Sequence, residues 1–476
     1  MSTGVTAILR RLGRARDRLL ETRGERRLYL VGGTLRDILL ERQPEDFDFA
    51  VSGSGVEFAR AFADRVRGKF VVLSEPDDEA RVVSRGRVFD FNGFGVKTID
   101  DDLRRRDFTI NAMACEVLPE GVGGLLDPFR GSDDLRAAVI RPVTPDSLRA
   151  DPLRLLRGLR LGLELGLSVH DSVLEQGRSV SLSRTAAERI GSELLRILEC
   201  PRSCDALIRL HQLGRLAEIL PDFAPVLEDD DLRQHSFRTC VKVDEVVSAP
   251  SFFSGFGPEW QAYFDRWEAE TEADRGLPYR RAVLKLCGLL HDIAKPQTRF
   301  STAGGDTHFY GHDTLGARTA EKMVRRSLRL SKPQVKMVHT HVQEHMRLHL
   351  LATGSELSDR AIRRFFRDLG DEAFGMMITC YADGWATAGR TSHLESTITR
   401  MIRQKRDEDA RAAVTRFVNG HDLIALGLEP GPAFKVILQE LEDLQLEGTI
   451  GSREQGLEYL RTNLPGLAKP ETATED

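Results

Sequence analysis

Asp46 and Asp48 stand two residues apart in DFDFAV, where polar and apolar residues alternate strictly. Such alternation predicts a half-buried strand with both carboxylates on one face. Two carboxylates held that close repel one another unless divalent cations lie between them. Upstream, Gly32 and Gly33 follow the apolar run LYLV as a turn. Without side chains there, backbone N–H groups can approach a phosphate. Arg36 follows on the helical stretch TLRDILL. These parts match a two-metal phosphoryl-transfer site, in which one ion lowers the pKa of an attacking hydroxyl and the other neutralises leaving pyrophosphate. Asp90, in RVFDF, alternates on a nearby strand, as a third carboxylate of that site or as a surface residue.

A second group lies in RADPLRLLRGLRL, where Asp151 and Arg154 are three apart and are expected on one face of a helix. A carboxylate accepts from an exocyclic amine, and a guanidinium donates to a ring nitrogen or carbonyl. C and A both offer an amino donor beside an acceptor nitrogen, so this pair could select them without a nucleic-acid template. The formal net charge is −5, so any nucleic-acid role must come from a local patch. Arg141, Arg149, Arg154, Arg157 and Arg160 crowd together with apolar residues between them, which predicts one basic stripe on a packed helix. Arg157 and Arg160 would continue the face towards phosphates.

The third group is His235, His291, Asp292, His312, His345 and Asp383, with Lys295 just after the His-Asp pair. Neutral imidazole and carboxylate suit a transition-metal or Mg²⁺ site. His339, His341 and His349 flank His345 and leave open which imidazole is the ligand. The order resembles the HD phosphohydrolase superfamily. That resemblance implies an all-helical domain holding one or two metals (Mn²⁺, Ni²⁺ or Mg²⁺) and hydrolysing a 2′,3′-cyclic phosphodiester or a phosphomonoester. The competing reading is a degenerate structural domain.

The segments GGTLRDILLERQPEDFDFAV, DDLRRRDFTINAMA, LLDPFRGSDDLRAAVIRP and RADPLRLLRGLRL fill the first third of the chain in a telling order. They closely resemble the class II tRNA nucleotidyltransferase and bacterial poly(A) polymerase family. The resemblance implies a head of DNA polymerase β palm fold, with Asp46 and Asp48 binding catalytic Mg²⁺. Gly32, Gly33 and Arg36 would cradle the triphosphate, while Arg106, Asp107 and Asn111 fix the ribose and position the nucleotide. It also implies that the helix with Asp151 and Arg154 is an amino-acid template. That motif is usually E-D-x-x-R, and Ala150 stands here at the Glu position. Only NGFGVKTIDDDL separates the strand from RRRD, as in loop-poor members, some of which add only CC. The stretch VNGHDLIALGLEPGPAFKVILQELEDLQLEGTI resembles the tail of HD-containing members.

The elements that must position these groups follow from pattern. LYLV, DFDFAV, FVVLS, EARVVS and RVFDF read as strands, TINAMACEV as helix or strand, and DPLRLLRGLRLGLELG and AAERIGSELLRILEC as helices. Loops are expected at 305–307 and 426–432. The fold class is α+β: a polymerase-β-like head followed by a mostly helical neck, HD domain and tail. The expected divisions are a basic N-terminal helix (1–26), head (27–145), neck (146–222), HD domain (223–405), helical RNA-binding tail region (406–466) and disordered end (467–476).

A chain of 476 residues, 41% hydrophobic and 30% charged, is too long for one core. No apolar run approaches the roughly 20 residues of a spanning helix, and no signal-peptide core is visible, so a cytoplasmic protein is expected, monomer or dimer. The six cysteines read as reduced, mostly buried thiols. The function expected is transfer of CMP and/or AMP from CTP and ATP to the 3′ end of tRNA. The alternatives are a poly(A) polymerase on other RNAs, an HD phosphohydrolase with a relic RNA-binding head, and a purely structural RNA-binding protein.

Overall fold

The computed structural model describes residues 12–44, 46–272, 280–302, 304–354, 356–412 and 417–467. The expected disordered end lies outside these residues apart from Leu467, as do residues 1–11 of the basic N-terminal segment. The chain forms two compact units, residues 1–250 with 267–342, and residues 251–266 with 343–476.

The first unit begins with helix α1 (Arg14–Arg23), strand β1 (Leu28–Val31), helix α2 (Gly32–Leu39) and strand β2 (Asp46–Val51). Helix α3 (Gly55–Val66) leads to β3 (Lys69–Ser74), β4 (Glu79–Ser84) and β5 (Arg87–Gly93), then helix α4 (Ile99–Arg105), β6 (Ala114–Leu118) and β7 (Gly121–Leu126). The strands form one seven-stranded sheet in the order β3-β4-β5-β2-β1-β6-β7. All neighbours are antiparallel except β2 and β5.

Strand alternation sorts the two faces of this sheet. Phe47 and Phe49 of β2 stack on Phe89 and Phe91 of β5, with ring centroids 5.7 and 5.4 Å apart. Phe58 and Phe62 of α3 close over them. Buried aromatic pairs of this kind are the main apolar stabilisation of a small sheet. The intervening residues Asp46, Asp48 and Asp90 therefore face away from that core. The expected strands all form. TINAMACEV divides: Thr109–Asn111 is a single 3₁₀ turn and Ala114–Leu118 is strand.

Helices follow: α5 (Ser147–Ala150), α6 (Arg154–Leu165), α7 (Ala187–Glu199), α8 (Asp230–Ser248), α9 (Arg280–Leu290), α10 (His312–Ser327) and α11 (Lys332–Glu344). Helices α7 and α9 are strongly apolar on their inner faces, and every residue of α9 except Arg281 is buried. Of the loop expected at 305–307, Gly305 and Asp306 lie in the turn of a small hairpin that pairs Phe300–Ser301 with Thr307–His308, and Thr307 already belongs to its second strand.

In the second unit, helices α12 (Asp359–Leu369), α13 (Ala373–Ala388), α14 (Ser392–Ala412) and α15 (Pro432–Leu446) form the frame. Buried Arg363 of α12 donates to Asp443 of α15 at 3.0 Å and Glu408 of α14 at 3.2 Å. A smaller apolar cluster, including Leu423, Ile437 and Leu460, anchors the C-terminal helices. The helix stop expected in LEPGP is present, between Ala425 and Pro432. No helix among the described residues is long and apolar enough to cross a membrane. All six cysteines are buried.

Candidate active site

Gly32 and Gly33 open helix α2 directly; the expected turn is the first turn of the helix itself. Gly32 has φ +63°, a left-handed backbone that favours glycine, and a Cβ there would stand 2.8 Å from Asp48 Oδ2. Thr34, the next residue, ties helix to strand. Its hydroxyl donates to the Asp46 carbonyl at 3.0 Å and accepts from Asp48 N at 2.7 Å. Its own N–H donates to Asp48 Oδ2 at 3.3 Å.

The parallel pairing of β2 and β5 sets Asp90 directly opposite Asp48. Burial pushes the Asp48 pKa up, against the pull of Arg106, and the neighbouring charges of Asp90 and Asp46 push the same way. Three oxygen-donor side chains thus share one face, a donor set suited to a hard divalent cation. Asp90 also carries a two-pronged ion pair from Arg81, at 2.8 and 2.7 Å.

Arg106 points at the same place. Its Nη1 would lie 3.0 Å from a Cβ on Gly32. It donates to buried Asp102 at 2.9 Å and to Asn92 at 3.3 Å, and Asn92 in turn donates to Asp102 at 2.9 Å. Helix α4 starts from a Thr98–Asp101 capping box after only residues 94–98, so the segment expected to be short is short.

Arg36, Asn111 and Asp107 form a relay. Arg36 Nη1 donates to Asn111 Oδ1 at 2.9 Å, and Asn111 Nδ2 donates to Asp107 Oδ1 at 3.0 Å. Arg157 closes it on Asp107 Oδ2. Burial alone would raise the Asp107 pKa. Arg157, Asn111 and the N–H of Phe108 outweigh it and hold the group at about 2.

Three expectations need correction. Asp151 does not share a helical face with Arg154; it is extended, φ −144° and ψ 103°, between α5 and α6. There its Oδ1 accepts from Leu153 N at 3.2 Å, which turns the chain into the helix. Arg160 does not reach towards phosphates. It is 4% exposed and donates to Glu193 and Glu164 at 2.7 and 2.6 Å. The five arginines form no single stripe: Arg141 pairs with Asp134 beside the head, Arg149 with Asp146 on α5, and only the other three lie on α6.

Arg154 remains at the cleft, held in an unexpected way. Its Nη1 donates to Ser147 Oγ at 2.8 Å and the Arg106 carbonyl at 3.2 Å, and its Nη2 to the Arg105 carbonyl at 2.6 Å. The Ser147 hydroxyl and three backbone carbonyls, those of Arg105, Arg106 and, at 3.3 Å, Ser147 itself, thus orient it with Ala150 nearby. Arg189 of α7 donates to Asp151 Oδ2 at 2.8 Å. Gly32, Asp48, Asp107, Asp151, Arg154 and Arg189 all line one cleft of about 900 Å³. Sequence reasoning missed Thr34, Asp102, Ser147 and Arg189. The acidic run before RRRD was a signal for Asp102; nothing local marked Arg189.

The histidine–aspartate group divides between the units. In the first, His235 Nε2 and His291 Nε2 lie 3.1 Å apart, and Asp292 Oδ2 is 3.5 and 3.2 Å from them. His312 Nε2 is 3.6 Å from Asp292 Oδ1. His291 Nδ1 and His312 Nδ1 donate to the carbonyls of Gly288 and Phe309 at 2.9 and 2.6 Å. Those bonds leave each Nε2 as the lone-pair nitrogen, the tautomer of a metal ligand. Lys295 Nζ lies 2.6 Å from Asp292. His345 and Asp383 belong to the second unit. There His345 is buried and accepts at its carbonyl from Cys380, and Asp383 is bonded by His349 at 2.9 Å.

The chain is similar to known proteins in sequence and in fold. The poly A polymerase head domain matches residues 28–96 and 77–141, and the probable RNA- and SrmB-binding site of polymerase A matches residues 177–227. An A-adding tRNA nucleotidyltransferase of Deinococcus radiodurans is 30% identical over 449 residues, 91% of this chain and 94% of the relative. A CC-adding tRNA nucleotidyltransferase of Thermus thermophilus is 29% identical, over 90% of this chain and 92% of its own. The fold is similar to that of the Thermotoga maritima CCA-adding enzyme complexed with tRNA, with a TM-score of 0.62 at 21% identity, covering 97% of this chain and 98% of that one. A carboxylate face, a glycine-opened helix and near full-length identity of this order agree: the chain is an enzyme of the class II tRNA nucleotidyltransferase family.

Proposed function

We propose that the chain transfers CMP and/or AMP from CTP and ATP to the 3′ hydroxyl of tRNA, releasing pyrophosphate. The observation that carries this reading is that Asp48 and Gly32 share one cleft with Asp151 and Arg154. Asp46 and Asp48, with Asp90 beside them, would hold two Mg²⁺ ions. Such ions, when bound, supply positive charge to the triphosphate and the attacking hydroxyl. Gly32 and Gly33 offer backbone N–H groups to the triphosphate, and Arg36 and Arg106 offer guanidinium groups. Asp107 and Asn111, held rigid by Arg157, position the ribose. Asp151 accepts from the exocyclic amine shared by C and A, while Arg154 donates to the base.

The divisions expected from sequence (head 27–145, neck 146–222, HD domain 223–405, tail region 406–466) belong to the same reading, as does a cytoplasmic location. To test it, purified protein is incubated with tRNA transcripts ending before CCA, after C and after CC. Each receives CTP, ATP or both with Mg²⁺, and products are sized on a gel. The extension pattern assigns CCA, CC-only or A-only addition; no extension of any transcript sinks the reading.

A second activity is favoured by the convergence of His235, His291 and His312 on Asp292. We infer a divalent metal site there that hydrolyses phosphate esters. Bis-p-nitrophenyl phosphate with Mn²⁺ or Ni²⁺, wild type against Asp292→Ala, is the assay; equal inertness of both removes it.

A further inference from the structure

Helix α10 carries Arg318, Lys322 and Arg325 on one face at i, i+4 and i+7, with Arg326 beside them and Arg329 just past its C-terminal end. Lys332 and Lys336 follow on α11. All seven are exposed. They line two adjoining shallow depressions of about 550 and 650 Å³ that share Glu321 and Arg325. Three carboxylates temper this charge. Glu321 pairs with Arg325 and His339, Asp222 with Arg326 at 3.1 Å, and Glu188 with Arg329 at 3.3 Å. Arg318, Lys322, Lys332 and Lys336 have no carboxylate partner among the described residues. In a chain of net charge −5, so many like charges on one surface raise the free energy of the unliganded protein and are offset by a polyanion.

Helix α7 connects this surface to the cleft. Glu188 holds Arg329, and the next residue, Arg189, holds Asp151. Helix α7 also touches the end of α10, where a Cβ on Gly191 would meet the Leu328 carbonyl. A polymer whose 3′ end lies beside Asp151 therefore has this surface within reach of its body. Neither depression is lined by Phe, Tyr or Trp. Single strands are bound by stacking on such rings, whereas an RNA duplex is recognised through phosphates and shape.

We propose that the α10–α11 surface docks the phosphate backbone of an RNA duplex, the double-helical part of the acceptor substrate away from its 3′ end. This rests on the reading of the cleft as an RNA 3′-end site. The test uses the full-length protein and a tRNA transcript lacking CCA, with binding measured by fluorescence anisotropy across a KCl series. Arg318→Glu/Lys322→Glu and Lys332→Glu/Lys336→Glu are compared with wild type. Each double variant is expected to weaken tRNA binding about tenfold or more, and to make the salt slope shallower by about two. Binding of a short single-stranded RNA with the same 3′ end, the KM for CTP and the unfolding temperature are expected to stay as in wild type. Unchanged tRNA affinity and slope in both variants overturns the proposal, and so does equal weakening for the single strand. Unchanged tRNA binding with loss of polyglutamate binding assigns the surface to an acidic protein instead, which also overturns it. Binding is read without catalysis. A wild type that binds tRNA at this surface but adds no nucleotide sinks the transferase reading alone.

Discussion

Arg157 reaches from helix α6 to Asp107 and places Nε at 3.1 Å and Nη2 at 2.9 Å from the same carboxylate oxygen. Through Asn111 the same contact extends to Arg36, so one hydrogen-bonded line runs between helices α6 and α2.

The pH dependence of this contact has a defined sign. Asp107 titrates at about 2 in the folded protein, against about 3.9 in an unfolded chain. A depressed carboxylate stabilises the fold fully above its unfolded value, and that contribution is lost as pH falls from about 4 to about 2. Arg157→Ala leaves a buried carboxylate without its cation and is expected to cost about 2–3 kcal/mol at pH 7. The gap between wild type and variant should shrink below pH 4. Urea unfolding at pH 7 and pH 3 checks it, and a gap independent of pH refutes the assignment.

Gly32→Ala introduces a Cβ where Asp48 Oδ2 already stands, on a left-handed backbone. The strain is expected to cost about 1–2 kcal/mol. Displacement of Asp48 should lower nucleotide addition by a hundredfold or more (about 2.7 kcal/mol). Single-turnover extension beside thermal unfolding separates the two effects.

Arg81 and Asp90 allow the third carboxylate to be judged. If Asp90 serves the metal face, Asp90→Asn should weaken Mg²⁺ dependence strongly, while Arg81→Ala should preserve activity within severalfold. If Asp90 serves only the ion pair, both variants should behave alike, with changes of about 1 kcal/mol or less because Arg81 is partly exposed. Mg²⁺ titrations of extension rate distinguish these outcomes.

Arg160→Ala tests a correction. Because Arg160 is buried against Glu193, its removal should cost about 3–5 kcal/mol in stability. Affinity for tRNA, measured below the variant's unfolding temperature, should be unchanged. A large loss of affinity without loss of stability would restore the phosphate-binding role.

How much of this was legible in the sequence depended on the range of the interaction. The alternation in DFDFAV set Asp46 and Asp48 on one face because strand geometry is local. TINAMACEV resisted assignment because it contains both a 3₁₀ turn and a strand. Asp90 was visible, but its place opposite Asp48 depends on a parallel pairing reached only after α3, β3 and β4. Arg160 and Arg154 look alike in RADPLRLLRGLRL. Only the carboxylate from α7 shows that one is buried structure, and only the carbonyls at the end of α4 show how the other is aimed. Asp151 was misplaced because a residue just before a helix has the same spacing as one inside it.

The hold on Arg154 has a consequence for hybrids between relatives. Its guanidinium is aimed by Ser147 and by the carbonyls of Arg105 and Arg106, which belong to different parts of the first unit. If Arg154 reads the base, as proposed, base choice is not a property that one exchanged segment carries with it. A graft that moves the Asp151–Arg154 segment without the end of α4 would import the reading side chain and leave behind its sights.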